Sequence, residues 1–465
     1  MSVSILLLFL LYDLSYSYYS LGLNKIYLPV LSNNSNTTIK INKTMKKKLA
    51  NLEKYNELPL NDSQLNLLYQ SFIQTRSIKP VKYTVKLDFG SNNQVFRLLL
   101  STTDDFSTVS SVNCDKCNVS NKYNSTSSKT NKKLDNKNYK SDFSKSFYYE
   151  IFQDSIHIPT KTIKNGMSQK KKLNISTLNF KVIELDSSGF LNSDSIDGIL
   201  SLKYYKNSEA PKNNFIRELY NEGIISSPSF SIIITSINVN RLYLGDIMKN
   251  KYVRNYFDSS MNKGECNIID DDWKCKISNL QYNALKFFQW EYQIFEDDST
   301  LIFNLKENKL TIPEHYYELI VESYRHDSRK VGDTYVREKR VNKLCHTFDG
   351  IIYCSCSRDK DDFGIVTFYF EENSKLDIDL REFAHYNKDA WIYKCRVDIS
   401  LSKKNEFVVG LKGLNNTILT FNMEEKKINF FQKKKFDKPY RIIKIILSIL
   451  CLVLLIVLKA VFGVK

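Results

Sequence analysis

The chain has 465 residues, which is room for two or three domains of ~100–200 residues each. Its 67 Lys and Arg against 51 Asp and Glu give a net charge of +16, and its hydrophobic content of 42% excludes wholesale disorder. Only the two chain ends are strongly apolar, which excludes a purely helical membrane protein.

The first residues have the pattern of a secretory signal peptide. An apolar run from Ile5 to Leu11 is followed by small, polar and tyrosine residues as far as Ser20, although no basic residue precedes it. We therefore expect a signal peptide over residues 1–18, with a buried first strand as the alternative. Residues 19–80 are rich in Asn, Lys, Ser and Leu and are predicted to be a leader or pro-segment, with a short helix at Lys46–Leu58.

Short strands separated by turn residues then indicate a mainly β chain in two halves, residues 81–247 and 248–431. In the first half the predicted strands are Lys82–Leu87, Val95–Leu100, Phe147–His157, Leu178–Glu184, Phe230–Thr235 and Arg241–Leu244. In the second half they are Trp273–Ile277, Tyr292–Phe295, Ile365–Phe370, Ala390–Val397, Phe407–Val409, Thr417–Phe421 and Lys427–Phe431. Helical periodicity predicts helices over Asn214–Glu222 and Glu314–Tyr324. The polar stretch from Asn118 to Lys140 predicts a long solvated loop.

The end of the chain predicts a membrane anchor. A basic juxtamembrane segment, residues 432–441, precedes an apolar stretch at 442–464 that is long enough to span a bilayer. The basic residues favour the cytosol for that side of the membrane, but a signal peptide would already have translocated the body. We therefore expect a single-pass protein in a secretory-pathway membrane (endoplasmic reticulum, other endomembrane or cell surface), with its body luminal or extracellular.

Cysteine usage agrees with that compartment. Eight cysteines lie outside the predicted anchor and are disulfide candidates in undetermined pairing: Cys114, Cys117, Cys266, Cys275, Cys345, Cys354, Cys356 and Cys395. The alternative is a zinc site formed by the closely spaced pairs Cys114/Cys117 and Cys354/Cys356. Sequons for N-glycosylation occur at Asn36, Asn42, Asn124, Asn174 and Asn415, among others.

Several segments of the first half follow one another in a characteristic order. Gln94–Cys114 begins with a Gln-x-Phe strand and continues through Ser101-Thr102-Thr103 to a cysteine. Ser195–Leu202 contains a hydrophobic-Asp-Gly-Ile-Leu motif, Asn214–Ile225 leads to a strand, and Arg241–Ile247 ends this half. In this order the segments resemble the N-terminal half of the pepsin-like (family A1) aspartic proteases, with Ser101-Thr102-Thr103 at the position of Asp-Thr-Gly.

The second half repeats the scheme. Ile294–Phe303 resembles the second catalytic signature of that family, and Ile312–Tyr317 resembles the proline-led helix after it. Phe407–Gly410 resembles the second hydrophobic-hydrophobic-Gly motif, and Thr420–Phe431 resembles the closing segment. With its anchor and paired cysteines, the chain is most similar to the membrane-bound branch of apicomplexan plasmepsin-like enzymes. The resemblance implies a mainly β, bilobal pepsin-like acid protease fold, with two pseudo-symmetric six-stranded β-barrel-like lobes and a few short helices.

The resemblance also implies a catalytic pair, and the sequence departs from it. The family's two carboxylates share one proton and activate a water molecule as acid and base. Here the first position is Ser101, which can take neither role. The second is predicted at Glu296, whose carboxylate stands one methylene further from the backbone, and a misplacement of about 1 Å can cost ~100-fold in rate.

Other positions complete the predicted site. The cleft and flap candidates are Thr102, Thr103, Tyr139, Asp297, Asp298 and Ser299, and the supporting motifs are Ile196, Asp197, Gly198 and Val408, Val409, Gly410. Thr103 and Asp298 replace the family's glycines, so we expect backbone strain at both positions. Tyr139 is the flap tyrosine by spacing, and Thr108 stands where the family often has a tryptophan.

We therefore expect an inactive pepsin-like homologue that binds a peptide or protein in its cleft. The alternatives are an atypical aspartic-type endopeptidase that uses Glu296 with a neighbouring Asp, and a structural or adhesive surface protein. Five scattered His, with none at metal spacing, give no metal site, and the absence of a Gly-rich phosphate loop predicts no cofactor. A luminal body makes the lysine triplets a solvated surface, so no nucleic-acid partner is expected.

Overall fold

The structure is a computed structural model, and it describes residues 19–22, 24–27, 81–142, 145–164, 167–186, 195–204, 212–234, 241–247, 261–270, 272–284, 288–290, 299–316, 326–331, 334–339, 345–348, 351–356, 358, 363–371, 374–388 and 394–433. The predicted signal peptide, the helix at Lys46–Leu58 and the membrane span lie outside these ranges. Among the residues described, no helix is long and apolar enough to cross a membrane.

The first half of the chain contains eleven described strands and one short α-helix. The strands are β1 (Tyr19–Gly22), β2 (Asn24–Tyr27), β3 (Val81–Phe89), β4 (Gln94–Ser101), β5 (Ser107–Ser110), β6 (Lys132–Asp142), β7 (Lys145–Lys164), β8 (Met167–Asp186), β9 (Gly198–Ser201), β10 (Ser229–Ile234) and β11 (Arg241–Leu244). A 3₁₀ turn (Ser125–Ser127) precedes β6, and helix α1 (Phe215–Asn221) precedes β10. Asn214 caps α1 by accepting a hydrogen bond from the Arg217 N–H.

Six of these strands close into a barrel in the order β3-β4-β9-β5-β8-β7, which returns to β3 through pairing of β7 with β3. Alternate residues of β4, such as Phe96, Leu98 and Leu100, are fully buried, as expected for a strand with one face on a core. This barrel is the core of the N-terminal lobe. The prediction of a mainly β, bilobal pepsin-like fold is confirmed.

The second half contributes three strands to the large sheet, and its other described strands form smaller sheets. Its strands are β12 (Met261–Asn267), β13 (Lys274–Lys276), β14 (Asn279–Ala284), β15 (Phe288–Trp290), β16 (Thr300–Asn304), β17 (Leu310–Pro313), β18 (His326–Val331), β19 (Thr334–Lys339), β20 (Cys345–Phe348), β21 (Ile351–Cys354), β22 (Ile365–Tyr369), β23 (Lys375–Asp379), β24 (Ala384–Tyr386), β25 (Cys395–Val397), β26 (Ile399–Ser402), β27 (Glu406–Gly410), β28 (Thr417–Asn422) and β29 (Lys427–Lys433). Two 3₁₀ turns lie at Leu380–Glu382 and Leu411–Leu414. One five-stranded sheet, in the order β13-β16-β27-β17-β26, carries the site.

The two lobes are joined by a sheet to which each contributes three strands, in the order β1-β11-β10-β28-β29-β12. The central pairing is between β10 and β28, where Phe230 stacks on Phe421 with ring centroids 4.6 Å apart. Trp273 packs edge-on against both rings and donates from Nε1 to the Leu202 carbonyl. Apolar contacts and hydrogen bonds therefore both tie the lobes together.

Two strands of this framework belong to the predicted leader. β1 lies between β11 and β7, and it is the link between the joining sheet and the N-terminal barrel among the strands described. β2 pairs with β3, and its last residue Tyr27 is the partner of Val81. The part of the leader that the structure describes is thus integrated into the sheet of the N-terminal lobe.

All eight disulfide candidates are bonded, in the pairs Cys114–Cys117, Cys266–Cys275, Cys345–Cys354 and Cys356–Cys395. The zinc alternative is therefore wrong. The predicted solvated loop from Asn118 to Lys140 is also wrong in part, because its last residues form β6 and Tyr123 is buried in the barrel. Pairing with β7 satisfies the backbone of β6 even though its side chains are polar.

Candidate functional site

The site is built from the same four-strand pattern in each lobe. In the N-terminal lobe β4 runs parallel to β9, β9 antiparallel to β5, and β5 parallel to β8. In the C-terminal lobe β16 runs parallel to β27, β27 antiparallel to β17, and β17 parallel to β26. The strand register therefore allows position-by-position comparison of the lobes.

Ser101 is the last residue of β4, where it pairs with Ser201 of β9. Its counterpart at the end of β16 is Asn304, which pairs with Gly410. A second pairing gives the same result: Thr108, seven residues after Ser101, pairs with Ile199, and Thr311, seven residues after Asn304, pairs with Val408. Ser101 and Asn304 thus occupy corresponding positions in the two lobes.

The side chains of these two residues hold their loops in the same way. The Thr103 N–H donates to Ser101 Oγ at 3.2 Å, and the Lys306 N–H donates to Asn304 Oδ1 at 3.1 Å. In each case the backbone two residues further on donates to the side-chain oxygen. A serine and an asparagine accept these bonds, and neither carries a charge.

One residue next to Ser101 binds the opposite lobe directly. Thr102 is buried, and its Oγ1 donates to the Phe303 carbonyl at 2.6 Å and accepts from the Leu305 N–H at 3.2 Å. Phe303 and Leu305 flank Asn304, so this contact places the two corresponding positions at the lobe interface. Leu305, the counterpart of Thr102, has no hydroxyl with which to make the reciprocal contact.

A carboxylate and an ammonium group stand beside Ser101. Ser101 Oγ donates to Asp104 Oδ2 at 2.5 Å, and the same oxygen lies 3.0 Å from the Lys306 Nζ in the other lobe. Lys82 Nζ donates to the Lys306 carbonyl at 2.7 Å. Burial lowers the pKa of Lys82, Glu307 opposes this effect, and the charges of Lys306 and Lys309 add to the lowering.

The supporting motifs lie beside these positions. Gly198 begins β9 and pairs with Leu98, while buried Asp197 accepts from the Arg97 and Asn121 N–H groups. Ile196 is buried next to them, and Val408, Val409 and Gly410 form the β27 segment opposite Ile302, Phe303 and Asn304. A Cβ on Gly198 would lie 2.1 Å from the Thr108 carbonyl oxygen, so glycine is required there.

The other predicted site residues do not all lie in the part of the chain that the structure describes. Glu296, Asp297 and Asp298 lie outside the described residues. Ser299 is buried just before β16, and five steps of ~3.3 Å place it ~16 Å along the strand from Asn304. Tyr139 lies in β6, paired with Tyr148 close to the turn of the β6–β7 hairpin.

The prediction of backbone strain at Thr103 is wrong. The described non-glycine residues with positive φ are Asn93, Asp270, Asn416 and Lys426, so neither Thr103 nor its counterpart Lys306 needs the left-handed region. A signal for Asn304 was present in the sequence. Three apolar residues precede it, as three precede Ser101, and the next strand begins six residues after each.

Comparison with known proteins gives one match. The model of the eukaryotic aspartyl protease family matches residues 82–433, which covers both lobes and both corresponding positions. No curated protein matches the chain.

Proposed function

The chain belongs to the eukaryotic aspartyl protease family, and we propose that it is a catalytically inactive member that binds peptide or protein segments between its lobes. The observation that carries the proposal is the register of β16 on β27, which supports Asn304 instead of Glu296 as the second catalytic position. With Ser101 at the first position, neither place holds a carboxylate.

The chemistry of the family depends on two carboxylates that share one proton, so that one acts as base and the other as acid. A serine hydroxyl and an asparagine amide do not titrate near neutral or acidic pH and cannot exchange these roles. Both side chains instead accept backbone hydrogen bonds that shape their loops. Loops that share one geometry in both lobes, with no charge at either position, support binding without hydrolysis.

A second candidate function is favoured by one specific observation. Three residues beyond Ser101 and Asn304 the two loops carry Asp104 and Glu307, which correspond in register. A displaced pair of these carboxylates would make the chain an atypical endopeptidase. The contacts of Asp104 argue against this role, because its Oδ2 already accepts from Ser101 Oγ and pairs with Lys306 Nζ, so this oxygen is not directed at a water molecule between the lobes.

The proposal for the compartment is based on the disulfides. Four disulfides support maturation in an oxidising compartment, and we propose a secretory-pathway protein with a luminal or extracellular body, N-glycans and a membrane anchor at 442–464. This arrangement would place it near the membrane-bound apicomplexan plasmepsin-like branch. Extraction with alkaline carbonate tests the anchor, and a glycosidase-induced mobility shift tests the glycans.

Activity is tested by incubating the purified full-length chain with a peptide library from pH 3 to pH 7.5, with an active pepsin-like enzyme as positive control. We expect no cleavage at any pH and retention of peptides on the immobilised chain. Cleavage that disappears in Asp104→Asn or Glu307→Gln would establish the displaced pair instead. Absence of both cleavage and binding would favour the structural or adhesive alternative.

A further inference from the structure

The charge at the centre of the site differs in sign from that of an active aspartic protease. Ser101 and Asn304 are neutral, and the cation Lys306 reaches across the lobe interface to Asp104, whose Oδ2 also accepts from Ser101 Oγ. The Lys306 side chain is 23% exposed and that of Asp104 is 32% exposed, so both remain in contact with solvent. A partly exposed ammonium group therefore stands close to Ser101, the position at which the family's enzymes carry the first of their two acids.

Further lysines surround the same loop. Lys82 contacts the Lys306 carbonyl, and the Lys309 charge is close enough to act on Lys82. Three ammonium groups thus stand near two carboxylates, those of Asp104 and Glu307. The local balance is positive, as is the net charge of the whole chain.

A fourth cation lies on the wall of the N-terminal lobe. Lys181 pairs with Thr108, and its Nζ stands 4.7 Å from the ring centroid of Phe106 and 4.4 Å from that of Tyr149. Phe106 follows Asp104 by two residues, and Tyr149 belongs to β7, whose first residues form the hairpin with β6. The ammonium group of Lys181 therefore lies between the Ser101 loop and that hairpin.

We propose that the cleft binds peptides that carry a carboxylate, and that Lys306 holds that carboxylate between the positions of Ser101 and Asn304. The inference rests on the proposed function as a peptide-binding homologue. The carboxylate is that of an Asp or Glu side chain or of a peptide C-terminus, since both present the same two oxygens.

The preference has an attractive and a repulsive component. A charge-assisted bond to Lys306 favours the anion, and the absence of acids at Ser101 and Asn304 removes the repulsion that the family's catalytic pair would exert. Asp104 competes for the same ammonium group. Because a partly exposed ion pair contributes little stability, a ligand carboxylate can share or replace this partner.

The test uses immobilised full-length chain and three matched decapeptide libraries whose flanking positions are randomised over all residues except Asp and Glu. The first has a central Glu and an amidated C-terminus, the second a central Gln and a free C-terminus, and the third a central Gln and an amide. We expect the first or second library to be retained about 10- to 100-fold better than the third, and the better of the two identifies the source of the carboxylate. Equal retention of all three would overturn the inference.

Two variants with opposite expected effects exclude a folding artefact. Lys306→Gln should abolish the preference for the carboxylate, whereas Asp104→Asn should strengthen it by removing the competitor. Lys403→Gln, which changes an exposed lysine in the turn before β27, should leave it unchanged. If the preference for a carboxylate survives in Lys306→Gln, the inference about Lys306 is refuted but peptide binding is not. If none of the libraries binds, peptide binding itself is refuted.

Discussion

The hydrogen bonds of Thr102 predict a measurable dependence of stability on one hydroxyl. Thr102→Val keeps the side-chain shape but removes the bonds to the Phe303 carbonyl and the Leu305 N–H, both of which are buried. Each lost bond contributes ~1 kcal/mol net, and each buried group left without a partner costs ~1–3 kcal/mol. Because Leu305 makes no reciprocal contact, we expect the free energy of unfolding to fall by about 2–4 kcal/mol.

The assay is equilibrium unfolding in urea, followed by the fluorescence of tryptophan, since Trp273 is buried at the lobe junction. Thr103→Val is the matched control, because Thr103 is the exposed neighbour and should change stability by less than about 0.5 kcal/mol. A Thr102→Val variant as stable as this control would refute the view that the hydroxyl ties the lobes together.

Three further predictions concern the framework. Gly198→Ala should abolish soluble expression, because its Cβ would lie 2.1 Å from the Thr108 carbonyl oxygen, whereas Gly223→Ala, with nothing within 4 Å, should lose only about 1 kcal/mol. Burial alone would raise the pKa of Asp398, but the hydrogen bond from His385 and the charges of Lys412 and Arg396 lower it from 3.8 to about 2. Its contribution, about 2 kcal/mol, should therefore be present above pH ~4 and lost as the pH falls towards 2, and Asp398→Asn should remove this part of the pH dependence of unfolding. Replacing Cys356 and Cys395 by Ser should cost about 4 kcal/mol and replacing Cys114 and Cys117 less than half of that, because the closed loops span 39 and 3 residues. Equal losses in urea unfolding would contradict the loop-length argument.

Features that depend on local pattern were predictable from the sequence. The strand Arg241–Leu244 has the predicted bounds, and the helix predicted over Asn214–Glu222 is α1 with its caps. The position of Ser101 was identifiable because an apolar strand precedes it and a Thr follows it, in the same order as in the family motif. The strand β6 was not, since its polar residues become a strand only through pairing with β7.

The residue that corresponds to Ser101 in the other lobe shows where residue chemistry misleads. Matching the family motif to the sequence favours the acidic residues that begin at Glu296, because they carry carboxylates and Asn304 does not. Strand register is a property of the folded sheet: only the pairings of Asn304 with Gly410 and of Thr311 with Val408 fix the spacing. For such a position, the pairings of the surrounding strands are better evidence than the chemistry of the residue that occupies it.

The pairing of Tyr27 with Val81 has a consequence for how this chain can vary. The last residue of β2 and the first residue of β3 are direct neighbours in the sheet, at a Cα separation of about 5 Å. The distance between the two ends of the connection is therefore independent of the number of residues in it. Because the entropy of closing a connection between fixed ends grows only with the logarithm of its length, sequence can be added or removed between these two residues at little cost to the β2–β3 pairing. This connection is a natural place for a homologue to acquire or lose a module.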